Sequence, residues 1–494
     1  MGLTSNGGRV VRRVGLAGAA LFFVAVCVRV VPLAVLAQSS DAVAFVGARL
    51  ISGDGSAPIE NATFIVRSGK IVQVGTKDAV KVPQRATQVN LAGKTVIPML
   101  VDVHVHAGYL KNGPADPHVK DGKGLPGGHV SRDNYSRENI IDELRRYRYY
   151  GIGAVQSLGA EHHDIELRIR NDQRSAKLND PTLALLFTAG DGMVAYNNGQ
   201  VNGGPPFAPE VVHEAATAEQ AREFVRQEAA KKVDVIKFWV DDRNHTKPHM
   251  APEVYQAIVD EAHKQHLPAY AHIFYLEDAK GVAKAGVNGI VHPVRDQLVD
   301  NGLLQLMKAH DVFQASTISA GSPDRTWLDE PQLAETVPQV VIAPLKAARR
   351  NPAPAQTANL NAPPRGYILT LRNEKMESDA GIRIVIGGDT GGGEGWFPGY
   401  TEHRELQSLA EAGIAPLEVI HDGTQAGADL LGLRDMDSLV VGKRADFVVL
   451  NANPLDQMKN TRNISAVYVD GKAIDRAGMR ERWAKEFKAH ESGN

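Results

Sequence analysis

Pro98-Met-Leu-Val-Asp-Val-His-Val-His-Ala-Gly108 has the pattern of an apolar strand that ends in two histidines. Side chains two apart on a strand share a face, so His104 and His106 are delivered side by side. Two imidazoles on one face are half of a metal site. The competing reading is a chance pair at the wet end of a strand, and it holds unless the rest of the chain supplies further ligands.

Working outward, β-like runs at 100–105, 154–158, 183–188, 233–240, 269–273, 289–292, 312–318 and 383–387 alternate with helical patterns. Ser136-Arg-Glu-Asn-Ile-Ile-Asp-Glu-Leu144 and Thr217-Ala-Glu-Gln-Ala-Arg-Glu-Phe224 carry helix-start signals, and Pro252 opens a third helical stretch. Eight strands with helical crossovers predict an α/β chain with a (β/α)8 TIM barrel over 98–429, whose active site lies at the C-terminal strand ends. An open doubly wound sheet is the competing topology. The long connections 109–135 and 343–364 are expected beside the barrel mouth. Short β-rich runs with turn signals recur only near the two ends of the chain. They predict a small β-sandwich built from 38–97 and 430–494, with a C-terminal helix.

Composition narrows the function classes. Lys plus Arg (55) nearly balances Asp plus Glu (57) in 494 residues, which leaves no basic footprint for nucleic acid. A small-molecule substrate is the expected partner, with homo-oligomerisation left open. Residues 1–37 read as a signal peptide: Arg9, Arg12 and Arg13, an apolar stretch from Val14 to Val28, and Val35-Leu-Ala37 before Gln38. The mature protein is therefore expected outside the cytoplasm, periplasmic or secreted, with no membrane attachment after cleavage. Arg29 interrupts the apolar run; an uncleaved anchor and a twin-arginine route are the alternatives. The sole cysteine, Cys27, lies in this segment, so the mature chain would have neither thiol ligands nor a thiol nucleophile.

The missing ligands must then come from other strand ends. Strand four carries Lys237, strand five ends in His272, strand six in His292 and strand eight in Asp389. Each has a plainer reading: Lys237 could pair with Asp241 or Asp242, and Asp389 could shape a glycine-rich turn. Arg295, just past His292, could bind a substrate carboxylate or form an ion pair with Asp296 or Asp300. Trp396-Phe-Pro-Gly-Tyr400 could form an apolar wall, and His118 and His129 are weaker candidates in the strand-one loop.

Taken together, His104, His106, Lys237, His272, His292 and Asp389 make the chain similar to the amidohydrolase superfamily over nearly all of its mature length. Within that superfamily it resembles the imidazolonepropionase-like and prolidase-like members. The resemblance implies two divalent ions, zinc first, with manganese, cobalt and iron compatible with the same donors. His104, His106 and Asp389 would hold one ion and His272 and His292 the other, with Lys237 bridging them as a carbamate. A free ammonium cannot ligate a cation, so Lys237 would have to be neutral enough to react with carbon dioxide. A metal-bridging hydroxide would then attack an amide, peptide or cyclic amide C–N bond, with Asp389 as general base and then acid. The context Val291-His-Pro-Val-Arg295 departs from the glutamate-before, glycine-after pattern of many dipeptidase-like members. A mononuclear deaminase, an ester or phosphoester hydrolase and a non-catalytic binding scaffold are the alternatives.

Overall fold

Eight parallel strands organise the centre of the computed structural model, which describes residues 42–111, 130–200, 202–350 and 365–491. In chain order they are Leu100–Val105, Ile152–Ser157, Leu185–Thr188, Ile236–Trp239, Ala269–His272, Gly289–Val291, Phe313–Ser316 and Ile384–Ile386, here strands one to eight. Strands one to three pair as one sheet; strands four to eight pair as another, extended beyond strand four by the short strands Met193–Ala195 and His213–Ala215. Pairing between the sheets is sparse. Asp234 N donates to Thr188 O at 2.9 Å between strands three and four, and Val105 bridges Thr390 between strands one and eight. The predicted strands all occur, several of them shorter than their apolar runs.

Helices cover these strands on the outside, which is why the strands read as continuous apolar runs instead of alternating ones. Ser136 caps Arg137–Tyr149 by accepting from Asn139 N, and Thr217 caps Ala218–Lys231 by accepting from Gln220 N. On the inside, Val103, Leu158, Ala189, Val235, Tyr270, Val291, Phe313 and Val385 join one apolar cluster. Every one of the eight strand lines contributes to it.

A second sheet draws on both ends of the described chain. Val43–Leu50 pairs antiparallel with Ile59–Arg67 and parallel with Thr95–Pro98, which in turn pairs antiparallel with Phe447–Leu450. The eight-stranded sheet curls so that Phe45, Phe64, Phe447 and Tyr468 meet with ring centroids 4.6–5.2 Å apart. Gly151, at φ +81°, lets it approach the central strands: a Cβ there would lie 2.4 Å from Val448 Cγ2. The C-terminal helix Arg476–Glu491 buries Trp483, whose Nε1 donates to Asp142 Oδ1 at 2.8 Å.

The expected signal peptide with Cys27, together with His118 and His129, lies outside the described residues. No helix among the described residues is long and apolar enough to cross a membrane. The connection after strand seven contains the helices Pro331–Ala334 and Gln339–Arg350, which its Pro- and Ala-rich sequence did not signal.

Candidate metal centre

The C-terminal ends of strands one, four, five, six and eight converge. Asp389 Oδ1 lies 3.3 Å from His104 Nε2 and 3.1 Å from His106 Nε2. One ligand atom from each of these three residues falls within 4.8 Å of the others, a spacing that can hold a metal ion. Beside them, the His272 and His292 rings are 4.4 Å apart, and His292 is 4.9 Å from the His104 ring. Lys237 Nζ sits 5.0 Å from the Trp239 ring centroid, buried and among these imidazoles.

The local backbone sets these positions. Asp389 N donates to His104 O at 2.9 Å and His106 N donates to Thr390 O at 2.7 Å, so the loop after strand eight is stitched to strand one. His292 (φ 72°) and Asp389 (φ 53°) both adopt the left-handed conformation. Such backbone costs a non-glycine residue about 1–2 kcal/mol and tends to be kept where a side chain must be aimed.

Buried polar atoms almost always have a hydrogen-bond partner. Here His104 Nδ1 and Nε2, His106 Nδ1, Lys237 Nζ and Asp389 Oδ1 are buried without one. Burial, with Lys237 close by, pushes the His104 imidazole well below its usual range. Burial together with Arg243 does the same for His272, and burial with His272 does so for His292. These three imidazoles are therefore neutral, the form that donates a lone pair to a metal. Burial also brings the Lys237 amine down to about 7 against the opposing pull of Asp389. A near-neutral amine can be carbamylated, so the donor set fits a pair of divalent ions.

The plainer ion-pair readings are taken up elsewhere. Asp241 lies 3.3 Å from Arg243 Nη1 and 3.3 Å from His272 Nε2, while Asp242 binds His245 Nδ1 at 2.7 Å and the Tyr275 hydroxyl at 3.0 Å. Arg295 lines a cavity of about 270 Å³ together with His292, Asp389 and Trp396. The expected apolar wall is thus half present: Trp396 faces the cavity, whereas Tyr400 turns its hydroxyl to Glu330 at 2.7 Å.

Two supporting residues escaped the sequence reading. Asp102 Oδ1 accepts from His104 N at 2.7 Å and its Oδ2 accepts from Gly388 N at 2.9 Å, linking strands one and eight beneath the candidate ligands. Glu402, beside it, accepts from Thr390 Oγ1 at 2.6 Å. Burial raises both carboxyls, Glu402 to about 7, which fits one proton held between them. Asp102 had a signal: it completes a period-two series with His104 and His106 in an otherwise apolar strand. Glu402 had none, because it comes from a helix far along the chain.

The sequence signature of the amidohydrolase family matches residues 95–474. The ochratoxinase of Aspergillus niger is 25% identical over 468 residues, spanning 87% of this chain and 86% of its own. Among solved structures, a Xaa-Pro dipeptidase with bound methionine in its active site superposes with a TM-score of 0.65 at 19% identity, covering 88% of this chain and 100% of that one. Phenylurea hydrolase B does so with a TM-score of 0.65 at 22% identity, covering 88% and 97%. At these identities the structural likeness speaks to the fold alone.

Proposed function

The chain belongs to the amidohydrolase family, and from that premise we propose that it is a metal-dependent hydrolase of C–N bonds in small amides, peptides or cyclic amides. The observation that carries the proposal is the convergence of six ligand-type side chains, four of which, His104, His106, Lys237 and Asp389, bury polar atoms that lack protein partners. Strands one to eight would be the wall of a (β/α)8 barrel over 98–429, supported by the apolar cluster that all eight strand lines feed. Residues 38–97 and 430–494 would form the accompanying small β domain, and residues 1–37 an export signal.

His104, His106 and Asp389 would hold one divalent ion and His272 and His292 a second, with carbamylated Lys237 between them; zinc suits these donors best. When bound, the ions acidify a water molecule and polarise the scissile carbonyl. The chain's own residues do the rest. Asp389, the most exposed of the six, would accept a proton at its carboxylate and return it to the leaving nitrogen. Asp102 holds His104 and the strand-eight turn at fixed spacing, so proton acceptor and ligands keep register. Trp396, Phe274 and Ile318 wall the cavity and exclude bulk water.

Turnover of dipeptides, N-acyl amino acids and lactams by the purified protein tests this directly. Hydrolysis should cease on chelation and return with zinc, manganese or cobalt; a metal-loaded protein inert on all three classes contradicts it. A single-ion deaminase or ester hydrolase is favoured by one observation: of the six converging side chains, three, His104, His106 and Asp389, bring their ligand atoms within 4.8 Å of one another. Two ions per chain decide for the first reading, one ion for the second.

A further inference from the structure

Arg295 follows the ligand His292 by three residues, and the two acids nearest it in sequence are engaged elsewhere. Asp296 Oδ1 accepts from Leu276 N at 2.9 Å, and Asp300 binds Lys280 Nζ at 2.8 Å while capping Leu303 N at 3.0 Å. Asp241 and Asp389 lie in range, but Asp241 is paired with Arg243 and His272, and Asp389 sits against His104 and His106. Among the described residues Arg295 forms no ion pair.

It is nonetheless held firmly. Its Nη2 donates to Ile273 O at 2.7 Å, its backbone N donates to Phe274 O at 3.0 Å, and its guanidinium stacks 4.9 Å from the Phe274 ring centroid. A guanidinium carries five N–H donors, and Nε is buried with no partner. The hydroxyl groups around the cavity have their donors taken. Thr317 donates to Gly387 O at 2.9 Å, Thr370 to Tyr367 O at 2.8 Å and the Tyr367 hydroxyl to Glu411 at 2.6 Å. The cavity therefore combines apolar walls at Phe274, Ile318 and Trp396 with one oriented cation beside His292 and Asp389.

Resting on the C–N hydrolase reading of the same site, we propose that Arg295 is its specificity-determining residue. It binds the free carboxylate of an N-acylated amino acid with an apolar side chain, so that the amide one bond away from that side chain's carbon lies at the ligand cluster. A planar fork with unused donors matches a carboxylate in two parallel hydrogen bonds, which an ammonium cannot reproduce. Desolvation by the apolar walls strengthens that contact and penalises a neutral carboxamide, which leaves the cation unpaired.

The test compares wild type, Arg295→Lys and Arg295→Met, all metal-loaded, on N-acetylphenylalanine and its carboxamide. The wild-type kcat/KM should favour the acid by about 100-fold, with the preference falling to near parity in Arg295→Met and to an intermediate value in Arg295→Lys, mostly through KM. A wild-type preference near one, or a preference that survives in Arg295→Met, overturns the assignment. Turnover of neither compound by wild type counts against the hydrolase reading itself, and binding then decides on Arg295. Calorimetric titration of 3-phenylpropionate and 3-phenylpropionamide should show the acid bound about tenfold more tightly by wild type and not by Arg295→Met. Equal affinities in the wild type overturn the proposal independently of turnover. Metal content and circular dichroism of the variants separate this outcome from a failure to fold.

Discussion

In the terminal sheet, Phe45, Phe64, Phe447 and Tyr468 pack with ring centroids 4.6–5.2 Å apart. At the mouth of the central strands, His104, His106, His272 and His292 pack at 4.4–5.3 Å, also largely edge to face. Ring spacing is the same in a hydrophobic core and in a candidate metal centre. What separates them is chemistry: the carbon rings ask for little beyond contact, whereas His104, His106 and Lys237 bury nitrogens that no protein group satisfies. The mouth also holds left-handed backbone at His292 and Asp389, two of the candidate ligands. Similar ring spacing can therefore serve stability in one place and chemistry in another.

The largest effect is expected at Asp389, which in the proposed function combines a ligand position with the proton-accepting one. Asp389→Asn should lower kcat/KM by about 10³-fold or more with little change in melting temperature, since it removes charge from a strained loop without removing volume. Phe64→Ala should do the reverse. Loss of a ring fully buried between Phe45 and Phe447 should cost about 3–5 kcal/mol of unfolding free energy, read by denaturant titration, while metal bound per folded chain stays constant. If Phe64→Ala lowered metal content in folded protein, the two regions would not be separable.

Asp102→Asn probes the layer beneath the ligands. It keeps the side-chain volume but sets an amide donor against one of two backbone N–H groups, from His104 and Gly388. Metal affinity measured by competition with a chelator should fall about 10–100-fold. The smallest effect concerns a histidine that belongs to neither region. Burial holds His403 down to about 3 from an ordinary 6.5, with Nε2 facing Tyr150 O at 2.8 Å. The unfolded chain binds that proton first, so the contribution is complete above 6.5 and is lost as pH falls toward 3. His403→Gln should flatten the stability profile over that window, measured as unfolding midpoint against pH.

Much of this arrangement was legible in the chain. Strand runs, their helical crossovers and the ligand-type residues at strand ends follow from local periodicity, and all six side chains meet because parallel strands carry their C-terminal ends to one side. Lys237 was readable as a ligand only by its place on strand four; its isolation from Asp241 and Asp242 depended on Arg243 and His245 reaching those acids first. The freedom of Arg295 was hidden for the same reason, since Asp296 and Asp300 sit beside it in sequence yet bind a backbone N–H and Lys280. Glu402 was invisible because its pairing with Asp102 is a long-range contact with no periodic trace. Left-handed backbone at His292 and Asp389 was equally hidden: neither is glycine, and the conformation is imposed by surrounding hydrogen bonds.

In the proposed function the mouth holds two divalent ions joined through Lys237. Elemental analysis of wild type and Lys237→Ala, both purified after growth with added zinc and bicarbonate, tests it most directly. Wild type should hold two ions per chain, and the variant at most one, with activity lost and partly restored by short-chain carboxylates. A wild type without metal, or a Lys237→Ala protein that keeps two ions and full activity, would contradict it.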